Sequence, residues 1–288
     1  MVKKIDFLKL ELSRGWAFPL KERLANFLFK NFRTKNFFEG IILTKNDFLI
    51  HVNTKSFIEY KIFTEGAYEL DLSKIITNYL TEGDIAFDIG TNIGIHTIPM
   101  AKKIGNSGKV FSFEPVGFIV DKLEKNLLLN TISNVAVVPK ALSNVNSDFT
   151  SNFGADAGNQ GTFSLSFRDE GSTTIKTIVG DEFVKENDIQ SLKLMKVDVE
   201  GFELNVFLGL RETIAVLNPI IIFEYDTNYI SRANHKSNDY DAFFGGLNYQ
   251  LYKIDKFIVT PLLTFGPING MAEILAMPNR QFTPYKYK

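Results

Sequence analysis

The chain of 288 residues contains no cysteine, which excludes disulfides, thiolate zinc sites and cysteine nucleophiles. Histidine is nearly as scarce, at three residues, and no paired-histidine metal motif is present. No apolar run reaches the roughly 18 residues of a membrane span. The start, MVKKIDFLKLELSR, carries Asp6 and Glu11 where a signal peptide would be apolar, so no export signal is read there. Charge of one sign is also lacking. The formal net charge is −1, which gives no general attraction to nucleic acid. Lack of cysteine is compatible with a reducing cytosol, and a cytoplasmic protein is the expectation. Two glycine motifs are missing as well: the G-x-x-x-x-G-K phosphate loop and the dinucleotide fingerprint G-x-G-x-x-G.

What is there is a different glycine turn. In GDIAFDIGTNIGIHTIPMAKKIGNSGKVFSFEP (Gly83–Pro115), a buried strand over Ile85–Ile89 carries Asp88 near its end. A turn holding Gly90 and Gly94 follows, then a helix. A second strand, Val110–Phe113, leads into Glu114. This is half of a nucleotide-binding α/β unit, whose ligand-facing groups sit at the carboxyl ends of strands. Asn92 stands where the fingerprint has its second glycine, and Asp88 would repel a diphosphate. A ligand with an ammonium, a sulfonium and no phosphate suits that acid, and S-adenosylmethionine is such a ligand. Gly90 and Gly94 let the backbone pass close to it. The following helix N-terminus faces its carboxylate, and Glu114 is placed for the two ribose hydroxyls. The plainer alternative is a tight βα turn with an acidic strand end. A nicotinamide- or nucleotide-dependent enzyme on a similar sheet is a second alternative, and a non-catalytic scaffold that binds S-adenosylmethionine a third.

The segments DIGTNIGIHT, GKVFSFEP, NVAVVPKALSN, LMKVDVEGFELNVFLG and NPIIIFEY resemble, in this order, the FkbM-type methyltransferases. The similarity runs from about Glu65 to about Asp226. The resemblance implies a class I, S-adenosylmethionine-dependent enzyme with a Rossmann-like core, most often methylating hydroxyl oxygens of sugars, polyketides and other small molecules. It implies cofactor contacts at Asp88, Gly90, Asn92, Gly94, Glu114 and near Ala141–Leu142, and an active-site edge at Asp198–Gly201. The chain departs from the family at Thr91, where a small alanine is usual, at Pro99 inside the helix after the turn, and in the long polar segment 146–172. Pro99 is harmless in a first helical turn, where its missing N–H has no partner to lose.

The expected fold is α/β: a mostly parallel sheet with helices on both faces, an N-terminal helical extension and a small β-hairpin. The expected domains are 1–64 and 65–288, the second with an insertion over 146–172. Strands are expected at 85–89, 109–113, 135–138, 192–197 and 220–223, alternating with helices near 95–104, 117–130, 180–187 and 203–216. Antiparallel tail strands are expected near 249–254, 257–260 and 272–276. Upstream, 40–63 alternates in a β-like way and Glu65–Leu80 has the pattern of the first core helix. Inside the insertion, Asp148–Phe153 and Thr162–Phe167 suggest a hairpin or lid, or else a surface loop. Residues 1–38 read as helical, basic and rich in Phe. Two uses fit them: a cap packed on the domain, or a peripheral membrane or homo-oligomer contact.

Methyl transfer to a hydroxyl needs alignment and a proton acceptor. Asp198 and Glu200 lie past the 192–197 strand, Glu224 and Asp226 past the 220–223 strand, all at the edge that carries Asp88 and Glu114. One reading makes Asp198 or Glu200 the general base. Another makes Asp198, Glu224 and Asp226 a divalent-metal site orienting a diol. His96, just after the turn, is a further candidate base, and Glu203 a helix cap. Lys196 shares a strand face with Asp198. The acceptor class is a small molecule or glycan. Nucleic acid is not expected, since there is no N-P-P-Y-like run for a flipped base.

Overall fold

The computed structural model describes residues 38–151 and 173–279. These fall into two compact units, 38–70 and 71–151 with 173–279. The Thr162–Phe167 run and residues 1–37 lie outside the described residues.

In the first unit, β1 (Glu39–Leu43) and β2 (Leu49–Asn53) pair antiparallel. One face of the hairpin buries Ile42, Ile50 and Val52, as alternation predicts. The next apolar run, SFIEYKIF, is not the strand that its alternation suggests. It forms helix α1 (Phe57–Glu65), whose buried side chains include Glu59, Tyr60, Ile62 and Phe63. Their spacing closes one helical face, and a short apolar run fits either period. The Glu59 carboxylate accepts the Asn53 N–H at 2.6 Å. Gly66, at φ 75°, stops the helix and donates its N–H to the Ile62 carbonyl, a left-handed cap that favours glycine. The helix expected over Glu65–Leu80 therefore shortens to α2 (Leu70–Asn78).

The second unit holds the expected strands β3 (Ile85–Ile89), β4 (Lys109–Phe113), β5 (Val135–Val138), β9 (Leu194–Val197) and β10 (Ile220–Asp226). The tail supplies β11 (Tyr249–Asp255), β12 (Ile258–Leu262) and β13 (Met271–Pro278). Their order in the sheet is β12-β11-β13-β10-β9-β3-β4-β5. The five strands from β10 to β5 run parallel. β13 is antiparallel to both β10 and β11, between which it inserts. The chain leaves β3 toward β4 and β5, then returns past β3 to build β9 and β10. The strand order thus reverses between β3 and β9, where open α/β sheets form their ligand crevice.

Both sheet faces are covered. On one, Phe87, Phe111 and Phe113 meet Phe183 of α5 (Gly180–Glu186) edge to face, at centroid distances of 6.2, 5.6 and 5.0 Å. On the other, Ala86, Val110, Leu194 and Ile222 pack with Ile75 and Ile76 of α2 and with Met100 and Ile104 of α3 (Thr97–Ile104). Pro99 is the third residue of α3, within the first turn, where proline is tolerated. Further along, α4 (Gly117–Leu129) precedes β5.

Between β5 and β9 a separate three-stranded sheet forms, in the order β6-β8-β7. β6 is Ala141–Ser143, β7 is Ser147–Ser151 and β8 is Thr173–Val179. β7 covers much of the expected Asp148–Phe153 run and pairs antiparallel with β8. The sequence reading missed β6 and β8.

The helix expected over 203–216 is broken into α6 (Glu203–Gly209) and α7 (Arg211–Leu217). The Asp181 carboxylate makes the break. It accepts the Glu212 and Thr213 N–H groups at 3.0 and 2.8 Å, capping α7 from outside. α8 (Thr227–Arg232) and α9 (Ser237–Gly245) follow β10.

Gly209 fixes how α6 docks on β6. A Cβ at this position would lie 1.9 Å from the Ser143 carbonyl oxygen. Gly209→Ala should therefore destabilise the fold by about 1–3 kcal/mol, although alanine is the better helix former. A urea midpoint that is unchanged or raised would contradict this packing.

Candidate active site

The turn after β3 is built by close backbone contacts. Gly90 sits at φ 81°, and a Cβ there would lie 1.8 Å from the Asp198 carbonyl oxygen. Its N–H bonds the Phe113 carbonyl at 3.0 Å, while Asp198 N–H bonds the Ile89 carbonyl at 2.9 Å. The ends of β3, β4 and β9 are thereby laced together at the crevice. Gly94, at φ 95°, lies against Leu123 of α4. Asn92 also has a left-handed backbone, φ 53°, and its side-chain oxygen accepts the Ile93 N–H at 2.8 Å. From α4, the Asn126 amide donates to the Ile93 carbonyl at 2.9 Å. That support is not visible in the sequence, because the two residues are distant along the chain.

A polar row lies under the turn. Ser112, Asp88 and Lys196 are in register on β4, β3 and β9, on the face that two residues earlier carries Val110, Ala86 and Leu194. Asp88 is 0% exposed, so it lies beneath the turn rather than at its mouth. Its Oδ2 accepts the Thr97 hydroxyl at 2.5 Å, and its Oδ1 has no hydrogen-bond partner among the described residues. Thr91, the departure from the family pattern, is used here. Its hydroxyl donates to the Asp88 carbonyl at 2.9 Å and accepts from Ser112 at 2.7 Å, which alanine could not do.

Glu114 is also buried, and burial pushes its carboxyl up to about 7. The N–H groups of Val116 and Asn92, at 3.1 and 3.0 Å, and the Lys196 charge oppose that rise, while Asp88 adds to it. A carboxylate has about four acceptor positions, and two are taken. Lys196 is 4% exposed and donates to Asp198 Oδ2 at 2.9 Å.

The segment after β9 turns on Glu200, at φ 51°, and Gly201, at φ 99°. Gly201 lies against the Tyr229 backbone, where a Cβ would come within 2.6 Å. Glu203 organises the turn. Its Oε1 accepts the Val199 and Gly201 N–H groups at 3.2 and 3.0 Å, so it braces the preceding turn, and no side chain caps α6 at Phe202. Burial pushes it up to about 7, against those N–H bonds and aided by the Asp198 charge.

Asp226 caps α8 by accepting the Asn228 N–H at 2.7 Å. Asp198, Glu224 and Asp226 do not form the suggested metal trio: no group of three His, Cys, Asp or Glu suited to a metal occurs among the described residues. His96 is buried at the entry to α3. Ala141 and Leu142 are buried in β6, just past the β5 terminus, and Leu142 belongs to the aromatic core.

The strand order, with one antiparallel strand inserted next to the outermost parallel one, and the glycine turn at the switch point define a Rossmann-like core of the class I methyltransferase type. A family model described as the methyltransferase FkbM domain matches residues 88–251, and the chain belongs to that family. It is 34% identical over 156 residues to the hexuronic acid methyltransferase AglP of Haloferax volcanii, covering 54% of this chain and 61% of that protein. Among solved structures it is similar to methyltransferase FkbM from Methylobacillus flagellatus KT, with 15% identity and a TM-score of 0.45, over 68% of this chain and 44% of that one. A SAM-dependent O-methyltransferase from Thermotoga maritima matches with 15% identity and a TM-score of 0.41, over 85% and 79%. The chain thus spans less than two thirds of the length of the curated relative and of the first of these structures. No helix among the described residues is long and apolar enough to cross a membrane.

Glu203 gives a direct test of the site's electrostatics. With its folded value near 7 and an ordinary unfolded one near 4.5, the folded chain binds its proton more tightly. This contribution therefore loses stability as pH rises from about 4.5 to 7. Glu203→Gln keeps an oxygen for Val199 and Gly201 and cannot ionise. It should melt higher than the wild type at about pH 8 and show a shallower loss from about pH 5 to 8. A variant that melts lower at both would mean that the charge itself holds the turn.

Proposed function

We propose that the chain is an S-adenosylmethionine-dependent methyltransferase that methylates a hydroxyl of a sugar or glycan. The observation that carries the cofactor reading is the surplus of buried carboxyl groups at the switch point. Asp88, Glu114 and Glu203 are buried there and Asp198 is partly exposed beside them, with one described ammonium, Lys196, bonded to Asp198. Buried charge is retained only against a partner, and a cationic ligand completes that set where a phosphate would worsen it. The buried, unpartnered Asp88 Oδ1 is an acceptor that the ligand's ammonium, or a water bridging to it, would satisfy. The remaining acceptor positions of Glu114 suit the ribose hydroxyls. Gly90, Asn92 and Gly94 supply backbone close to the ligand, and Ala141 and Leu142 bound the adenine side.

When bound, S-adenosylmethionine supplies a methyl group on a sulfonium for in-line transfer to oxygen. The chain aligns the acceptor and takes up its proton. Asp198, held by Lys196 through Oδ2, keeps Oδ1 for the acceptor hydroxyl. Glu200, two residues on in the same turn, is the other candidate base. His96, buried at the entry to α3, is the third candidate. This reading assigns no role to a divalent metal. The sugar acceptor is proposed from the similarity to a relative named as a hexuronic acid methyltransferase, and from no residue of this chain. A peripheral membrane or homo-oligomer contact through 1–38, and a cytoplasmic location, complete the reading.

Calorimetry with S-adenosylhomocysteine tests the cofactor. The wild-type chain should bind, and Asp88→Ala and Glu114→Ala should each weaken binding by about tenfold or more. No binding by the wild type would remove the proposal. Incubation with methyl-labelled S-adenosylmethionine and glycans ending in a hexuronic acid tests the acceptor. Label should appear on a sugar oxygen, be lost on adding EDTA in no case, and fall by about a hundredfold in Asp198→Asn or Glu200→Gln, whichever is the base. Label on nitrogen, or none on any glycan, would redirect the acceptor class.

A further inference from the structure

Lys196 occupies a position built for an aliphatic side chain. It projects from β9 on the face where Leu194 lies two residues earlier, and its neighbours in register are Asp88 on β3 and Ile222 on β10. At 4% exposure, an ammonium there is costly unless acids surround it. They do. Its Nζ is 2.9 Å from Asp198 Oδ2, Asp88 stands beside it across the β3–β9 ladder, and its charge acts on Glu114 at the end of β4. These acids serve two ends of the crevice: Asp88 and Glu114 the cofactor end, Asp198 the acceptor end.

Resting on the cofactor reading above, we infer that Lys196 is a positioning residue whose single ammonium is the shared counter-charge of Asp88, Glu114 and Asp198, tying the cofactor end of the crevice to the acceptor end. It touches no reacting atom. It holds Asp198 in one orientation and sustains two carboxylates that lie too deep for water to screen. A neutral residue of the same length leaves two buried acids, Asp88 and Glu114, and the partly exposed Asp198 without that counter-charge, and like charges at such depth repel strongly. Arginine keeps the charge but carries a planar fork in place of a compact ammonium.

Binding of S-adenosylhomocysteine to the full chain, measured as a double-mutant cycle, tests this. Lys196→Met should weaken binding by about tenfold in the wild-type background and by less than about threefold when Glu114 is already Gln. The missing ammonium then has less charge to offset. Lys196→Arg should restore affinity to within about threefold of wild type. A residue that only fills space would give the same factor in both backgrounds and would not be rescued by charge. Equal factors, or a Lys196→Met chain that binds as the wild type does, overturn the inference. Should Lys196→Met fail to fold, Lys196→Gln takes its place. If both unfold even with Glu114→Gln, the lysine is a structural residue and the inference is wrong. A wild-type chain that binds nothing defeats the cofactor reading instead, and the two failures are distinct.

Discussion

The structure depends on carboxyl groups kept out of water at the point where the sheet reverses direction. A sheet buried on both faces ordinarily fills its interior with aliphatic side chains. Here the slab formed by Ala86, Val110 and Leu194 gives way, one pleat later, to Asp88, Ser112 and Lys196. Polar groups at such depth must be bonded or charge-balanced. The Thr97 and Ser112 hydroxyls, the N–H groups of Asn92 and Val116, and the Lys196 ammonium meet that demand in part. What remains is an unpartnered Asp88 oxygen and two glutamates pushed up toward 7, which supports the proposed cationic ligand.

The backbone around these acids is held as tightly as the acids themselves. The three strand ends are joined by N–H···O bonds from Gly90 to Phe113 and from Asp198 to Ile89, and the approach of Gly90 to Asp198 leaves no room for a side chain. Gly201 against Tyr229 and Gly209 against Ser143 repeat the device on either side of α6. The DVEG turn is thus clamped between the crevice, α8 and the small β6-β8-β7 sheet. Its acids are carried on a frame that cannot relax without breaking backbone contacts, which is what positioning a reacting group requires.

Fold and site also meet in single residues that do two jobs. Thr97 starts α3 and bonds Asp88. Glu203 starts α6 and gathers the N–H groups of the turn that presents Asp198 and Glu200. Asn126 packs in α4 and holds the glycine turn by the Ile93 carbonyl. Such residues make stability and ligand affinity hard to vary independently, because the helix that covers the sheet is anchored through the groups that shape the crevice.

The sequence by itself determined the parallel core, the glycine turn, the acids at the strand ends and the family, because each is written in residues close along the chain: short apolar runs, a D-x-G-x-N-x-G spacing, an acid after a strand. It misjudged what local pattern leaves degenerate. SFIEYKIF fits a strand or a helix, and only its burial beside the hairpin chose the helix. The break at Leu210 depends on Asp181, a residue in another helix. Tertiary structure alone decided that Asp88 lies beneath the turn, that Asp226 caps a helix, that Asp198, Glu224 and Asp226 form no metal trio, that Thr91 joins a hydroxyl network, and that Lys196 bonds Asp198 with Asp88 beside it. The reason is that hydrogen bonds and burial at this site join residues from strands β3, β4 and β9 and helices α3, α4 and α6, and no spacing along one chain records which of them will meet.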